Sequence, residues 1–229
     1  MDWFAAVDIY CERTTPAFWA EPLNALTNLA FVLAALWGAV EARKRGITSP
    51  MVWLLIALAA LIGIGSFLFH TFANRWSELA DTIPIWSFVA LFVLAAMHFI
   101  GGTPVARVLR VAGLVAIAAA LVIWLLAFGE GQDQAAQAAD PLNGSGQYAP
   151  AVLALLVFTL ISWRRRHPGA PWIAASLGVF LLSLTARTFD RDLCGAFPLG
   201  THFLWHSLNG LMIALLLQML VRTGEFRRG

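Results

Sequence analysis

Long apolar runs separated by short polar links make up most of the chain. Seven of these runs read as membrane-spanning helices: Pro22–Val40, Met51–Phe69, Leu79–Ile100, Val108–Phe128, Ala149–Trp163, Trp172–Ala186 and His202–Leu220. About 20 apolar residues in helical form cross a bilayer core about 30 Å thick. The fifth and sixth runs are shorter than that, so their ends are the least defined. The runs are continuous rather than alternating, which favours helices over the strands of a membrane barrel. The links are Glu41–Pro50, Ala73–Glu78, Gly101–Arg107, Gly129–Gln147, Arg164–Pro171 and Arg187–Thr201. Gly129–Gln147 is the longest and reads as a flexible loop. The expected fold is an all-α integral membrane bundle of seven helices. It is a single domain over residues 1–229, with residues 1–21 as an extracytoplasmic segment.

Composition agrees with that pattern. Hydrophobic residues make up 60% of the 229 positions and charged residues only 12%, about half the usual charged share of about 25%. So few charges do not cover the surface of a soluble enzyme, and they exclude a disordered chain or a nucleic-acid binder. Their positions carry more information than the net charge of +2. Arg43, Lys44, Arg45, Arg107, Arg110, Arg164, Arg165, Arg166, Arg222, Arg227 and Arg228 fall on one side of the expected bundle. Only Arg13, Arg75, Arg187 and Arg191 fall on the other. Basic residues stay on the cytoplasmic side, so the N-terminus is expected outside and the C-terminus in the cytoplasm. The first 21 residues lack a basic start and an apolar core, and no cleaved leader is expected. Arginine outnumbers lysine fourteen to one, which suggests a GC-rich bacterial genome. The membrane is then the bacterial inner membrane, with the outer face in the periplasm.

Ionisable groups inside a span cost about 2.5–3.5 kcal/mol to insert, so each one is a candidate for function. His98 and His167 sit at the inner interface and suggest no chemistry. The other three histidines do. His202 and His206 are four apart and share one helix face, able to hold one metal ion. His70 closes the second span at the same depth. Asp81 opens the third span at that depth, and Ser66 lies one turn before His70. Three histidines with an open fourth position form the ligand set of a catalytic zinc. Polar contacts between helices and haem ligation are the alternatives. Haem ligands oppose one another, however, whereas His202 and His206 project to the same side.

Two smaller features lie outside. Asp8, Glu12 and Glu21 are three carboxylates within a short segment. They read either as a solvated acidic terminus or as hard oxygen ligands for calcium. Cys11 and Cys194 both fall on the outer side, where thiols meet an oxidising compartment and a pair can bridge.

These motifs resemble a known family. Tyr10-Cys11-Glu12, Glu21-Pro22-Leu23-Asn24, Gly65-Ser66-Phe67-Leu68-Phe69-His70, Asp81 and His202-Phe203-Leu204-Trp205-His206 are similar to those of the alkaline ceramidases. That family falls within the CREST group of seven-helix membrane hydrolases, which includes the adiponectin receptors. The resemblance covers essentially the whole chain. It implies a zinc held by His70, His202 and His206, with Asp81 handling the proton of the attacking water and Ser66 binding the oxyanion. It implies a Cys11–Cys194 disulfide and a calcium site from Asp8, Glu12, Glu21 and the main-chain carbonyl of Tyr10. The sequence departs from the family only in the calcium pattern. Asp8 lies three residues before Cys11 instead of two, Thr14 stands where an asparagine is expected, and the gap from Glu12 to Glu21 is short.

The implied activity is zinc-dependent hydrolysis of ceramide, a membrane lipid, to a sphingoid base and a free fatty acid. The same chemistry on another lipid amide or ester is the first alternative, and a non-enzymatic receptor with a structural zinc is the second. A transporter is a third, but its site belongs at the midplane, and these polar residues gather toward one interface.

Overall fold

The computed structural model describes residues 2–128 and 140–223. Its helices are α1 Pro22–Thr27, α2 Leu29–Lys44, α3 Pro50–Phe72, α4 Arg75–Phe99, α5 Val105–Phe128, α6 Ala149–Arg164, α7 Ala170–Phe189 and α8 His202–Arg222. Among the described residues, one isolated bridge between Ala6 and Asn74 is the only β-type pairing. Six helices among the described residues, with α1 and α2 taken as the continuous run Pro22–Lys44, are long and apolar enough to cross a membrane. The fourth expected span coincides with α5. The fifth and sixth expected spans are longer as helices than their apolar runs, because α6 extends to Arg164 and α7 to Phe189. Of the expected loop Gly129–Gln147, residues 129–139 lie outside the described residues, as do Glu225, Arg227 and Arg228. The end of that loop is ordered instead: Ser145–Tyr148 forms a 3-10 turn with Ser145 and Tyr148 buried.

Most helices are apolar on every side, so polarity does not select the packed faces. Leu26, Leu29, Leu33, Leu36 and Val40 are exposed at helical spacing along α1 and α2, and Leu153, Leu156, Leu160 and Trp163 along α6. These stripes suit lipid. Size selects the packed faces instead. A Cβ at Gly63 would crowd the carbonyl of Asn28, and one at Gly210 would meet Ala30. Such small residues let helix backbones approach in a setting where hydrophobic burial offers no drive. Helix α8 lies at the centre, against α1, α2, α3 and α7, with Leu217, Met219, Leu220 and Val221 fully buried.

One end of the bundle gathers the chemistry. There α3 turns into α4 through Ala73, which adopts the left-handed conformation at φ 45°. Asn74 caps α4 by accepting from the Ser77 amide, a reciprocal capping box. The N-terminal segment pins itself to this turn, with Val7 N donating to Ala73 O at 2.8 Å and Arg75 N to Ala5 O at 3.2 Å. A disulfide joins Cys11 to Cys194 with their Cα atoms 5.3 Å apart. The segment before α1 is therefore clamped to both the α3–α4 and α7–α8 connections.

Within α4, Pro84 has no N–H to give the carbonyl of Ala80, four residues back. That freed carbonyl faces α3, where a Cβ on Gly65 would overlap it. Gly65 and Pro84 together bring α4 against α3 at the residues flanking Asp81 and Ser66.

Candidate metal centre

His70 lies in the last turn of α3, His202 is the first residue of α8, and His206 follows one turn on. One nitrogen from each ring lies within 4.8 Å of the others. All three residues are 1% exposed. The His70–His206 and His202–His206 ring centroids are each 4.6 Å apart. The structure thus brings together the three histidines that the sequence singles out.

Each histidine has its own support. Nδ1 of His70 faces Oε2 of Glu21 at 2.6 Å, which leaves Nε2 for a metal. Nδ1 of His206 faces the Thr27 hydroxyl at 3.1 Å. That hydroxyl also lies 2.8 and 3.0 Å from Leu23 O and Asn24 O; when it donates to one of these carbonyls, as helical threonines commonly do, its oxygen accepts from Nδ1–H. This network assigns the proton to Nδ1 and again leaves Nε2. The Tyr10 ring stacks on His202 with centroids 3.6 Å apart. Asp190 accepts at Oδ1 from the amides of Thr201 and His202, at 2.7 and 2.8 Å. A carboxylate there satisfies amides at the start of α8 and complements its dipole.

A metal suits this donor set. Three imidazoles converge in a buried place, and the buried Nδ1 of His202 has no protein partner. Oδ1 of Asp81 is likewise buried without a partner. Asp81 interacts with the Ser66 side chain and lies near His70 and Arg187. Ser66 is buried one turn before His70.

The acidic residues have separate surroundings. Asp8 is exposed. Glu12 spends both oxygens on the amides of Leu23 and Asn24, at 2.7 and 2.8 Å. Burial raises the Glu12 carboxyl above its ordinary value, against the pull of those two amides. Glu21 faces Arg13, Asn24 and His70. Burial pushes its carboxyl up, but the His70, Asn24 and Arg13 interactions outweigh burial and hold it below its ordinary value. Among the described residues, the three histidines are the only group of His, Cys, Asp or Glu side chains close enough for one ion. Glu21 meets a buried guanidinium. Arg13 Nε donates to Glu21 Oε1 at 2.5 Å. Tyr10 contributes its ring to the histidine centre.

Sequence reading missed several supporting residues. Arg13 and Arg187 count there as outer charges, yet both are buried. Arg187 donates to the Tyr10 hydroxyl at 2.9 Å and lies 5.3 Å from the Trp205 ring centroid. Burial pushes the Tyr10 phenol well above its ordinary range, more strongly than Arg187 draws it down, so the phenol stays protonated. Asp190 and Thr27 complete the set, and the only sequence signal for Thr27 is polarity inside an apolar run.

An apolar cavity begins beside the histidines. Trp205 and Asn209 of α8 and Tyr148 line its near end. Phe88 and Phe92 of α4, Ala154 and Phe158 of α6, and Leu216 of α8 continue it. It holds about 720 Å³ of empty space, part of it open to the outside. A sequence model of the family described as Ceramidase matches residues 6–225.

Proposed function

The chain belongs to the ceramidase family, and from that membership we propose that it hydrolyses the amide bond of ceramide at the histidine centre, with zinc as the metal. The observation that carries this reading is the convergence of three separately supported imidazoles beside Trp205, whose ring stacks near His202 and lines an apolar cavity. Zinc, when bound there, supplies a Lewis acid that activates water and polarises an amide carbonyl.

The chain's own residues do the rest. Asp81, with Oδ1 unengaged, accepts the proton of the attacking water and returns it to the leaving amine. The Ser66 hydroxyl donates a hydrogen bond to the developing oxyanion, a role that typically contributes about 2.7–4 kcal/mol. Glu21, Thr27 and Tyr10 hold the three rings in place. The cavity suits a hydrocarbon tail, since its walls are almost wholly apolar, as the walls of typical ligand sites are. Substrate enters sideways between α4 and α6. The protein spans the membrane with its N-terminus and active end outside, as its basic residues suggest.

The test measures zinc content and ceramide turnover together. Purified protein should release a sphingoid base and a fatty acid in equal amounts from ceramide. His70→Ala and His206→Ala should lose zinc. Asp81→Asn should keep zinc and lose turnover by about 10²–10⁴-fold. Turnover of another lipid amide or ester with none of ceramide would overturn the substrate assignment.

A further inference from the structure

We propose that Arg13 is a positioning residue for His70, acting through Glu21, and that it serves as the resident cation of the N-terminal segment. The inference rests on the reading of His70 as a metal ligand.

The guanidinium of Arg13 has four acceptors. Nε donates to Glu21 Oε1 at 2.5 Å and one terminal nitrogen to His70 O at 2.9 Å. The other terminal nitrogen reaches Thr15 O at 3.2 Å and Ala17 O at 3.4 Å. Arg13 therefore grips both the backbone of His70 and the carboxylate that faces the ring of the same residue. The three groups form a closed triangle. Glu21 cannot rotate away from Nδ1 of His70 without breaking the contact to Arg13.

Charge points the same way. Glu12 and Glu21 are both buried, and buried carboxylates need a counter-charge. Two backbone amides hold Glu12, and Arg13, itself 7% exposed, is the buried cation paired with Glu21. Losing one partner of a buried pair leaves the other charge uncompensated. With Arg13 in place, the segment carries its own positive charge and needs no added divalent ion. A planar guanidinium suits this role because its fixed fork meets a carboxylate and carbonyls at once, and a lysine offers only a point charge.

A residue that merely folds the segment would make many of the same contacts, so the experiment separates the two roles. Zinc affinity is measured by chelator competition, beside thermal stability of the metal-free protein. The proteins are the wild type, Arg13→Gln, Arg13→Lys, Glu21→Gln and the Arg13→Gln/Glu21→Gln double variant. Arg13→Gln should weaken zinc binding by about 10–100-fold, the range seen when partners of metal-binding histidines are removed. Arg13→Lys should fold and recover part of that loss. The double variant should bind zinc no more weakly than Glu21→Gln alone, because Arg13 acts through Glu21. Added calcium should leave wild-type zinc affinity unchanged. The proposal is overturned if the two single losses multiply in the double variant. It is also overturned if Arg13→Gln or Arg13→Lys lowers stability while zinc affinity holds, or if calcium strengthens wild-type zinc binding. These readouts do not involve ceramide. A wild type that binds zinc but leaves ceramide intact sinks the proposed function alone, and a wild type that binds no zinc sinks both.

Discussion

Oε2 of Glu21 lies 2.6 Å from Nδ1 of His70, although 49 positions separate the two residues. A carboxylate at that nitrogen fixes the ring's orientation and places its proton on Nδ1, so Nε2 is the nitrogen presented to a metal. The arrangement recurs with other chemistry at the neighbouring ligands. The Thr27 hydroxyl pairs with Nδ1 of His206, and Tyr10 covers the face of His202. All three supports come from residues 10–27, the segment before and within α1. This segment therefore acts as the outer wall of the metal centre as well as the entry to the first span.

Thr27 gives the simplest test of that wall. Thr27→Val keeps the side chain's shape and removes the oxygen that accepts from His206 Nδ1. The proton on His206 is then free to move to Nε2, the nitrogen needed for the metal. Zinc affinity should fall by about tenfold or more, while thermal stability of the metal-free protein changes little. Chelator competition reads the first quantity and a melting scan the second. Unchanged affinity would show that Thr27 does not set the His206 tautomer.

Glu21 makes a pH prediction. Its carboxyl lies below its ordinary value of 4.5 on folding, because the His70, Asn24 and Arg13 interactions together outweigh burial. A carboxyl lowered on folding lends stability above its ordinary value, and that contribution fades as pH falls through the lowered value. Glu21→Gln removes the titration. The stability gap between wild type and Glu21→Gln should therefore be largest near neutrality and should narrow once pH falls below about 4.5. Melting temperatures of the metal-free proteins, stepped from neutral to acid pH, measure it. A gap of constant size across that range would contradict the assignment.

Gly65 controls how near α4 comes to the histidines. A Cβ there would overlap the carbonyl of Ala80, which Pro84 leaves without its helical donor. Gly65→Ala should push α4 outward, carrying Asp81 away, at a stability cost of about 1–3 kcal/mol for overpacking. The zinc ligands lie on α3 and α8 and not on α4. Zinc content should therefore stay near wild type while turnover of ceramide drops sharply. Loss of zinc in step with turnover would mean that the α3–α4 contact positions the metal ligands and not the base.

The parts of this site that are legible in the sequence are local or conspicuous. His202 and His206 share a face by spacing alone, and His70 and Asp81 stand out because an apolar span tolerates few such residues. The supports are neither. Thr27 sits quietly in a helix because its hydroxyl bonds back to Leu23 O and Asn24 O, a habit that hides its polarity. Arg13 and Arg187 read as outer charges, since nothing in their neighbours along the chain says they are buried. Their partners arrive through the fold: His70 O lies 57 positions from Arg13, and Tyr10 lies 177 from Arg187. The partners of the acidic segment are hidden in the same way. Glu12 and Glu21 are close in sequence, but the start of α1 takes one carboxylate and Arg13 the other. Span boundaries shift outward at α6 and α7 because a helix continues past the apolar run wherever Arg164 or Phe189 still makes backbone bonds.

The cavity yields a specificity prediction. Ala154 of α6 lines it, across from Phe88 and Phe92 of α4. Ala154→Phe puts a ring into the space assigned to a hydrocarbon tail and touches none of the histidines or their supports. Zinc content and stability should remain near wild type. Turnover should fall most for ceramides with the longest chains and least for short ones. Each methylene that loses its place in an apolar pocket changes discrimination by about 1–3 kcal/mol, so the ratio of short-chain to long-chain kcat/KM should rise at least tenfold. Varying the acyl chain and the sphingoid chain separately identifies which tail the cavity holds, because only that series shifts. A uniform loss across every chain length in both series would place the substrate's tails elsewhere and leave the cavity a packing defect between α4 and α6.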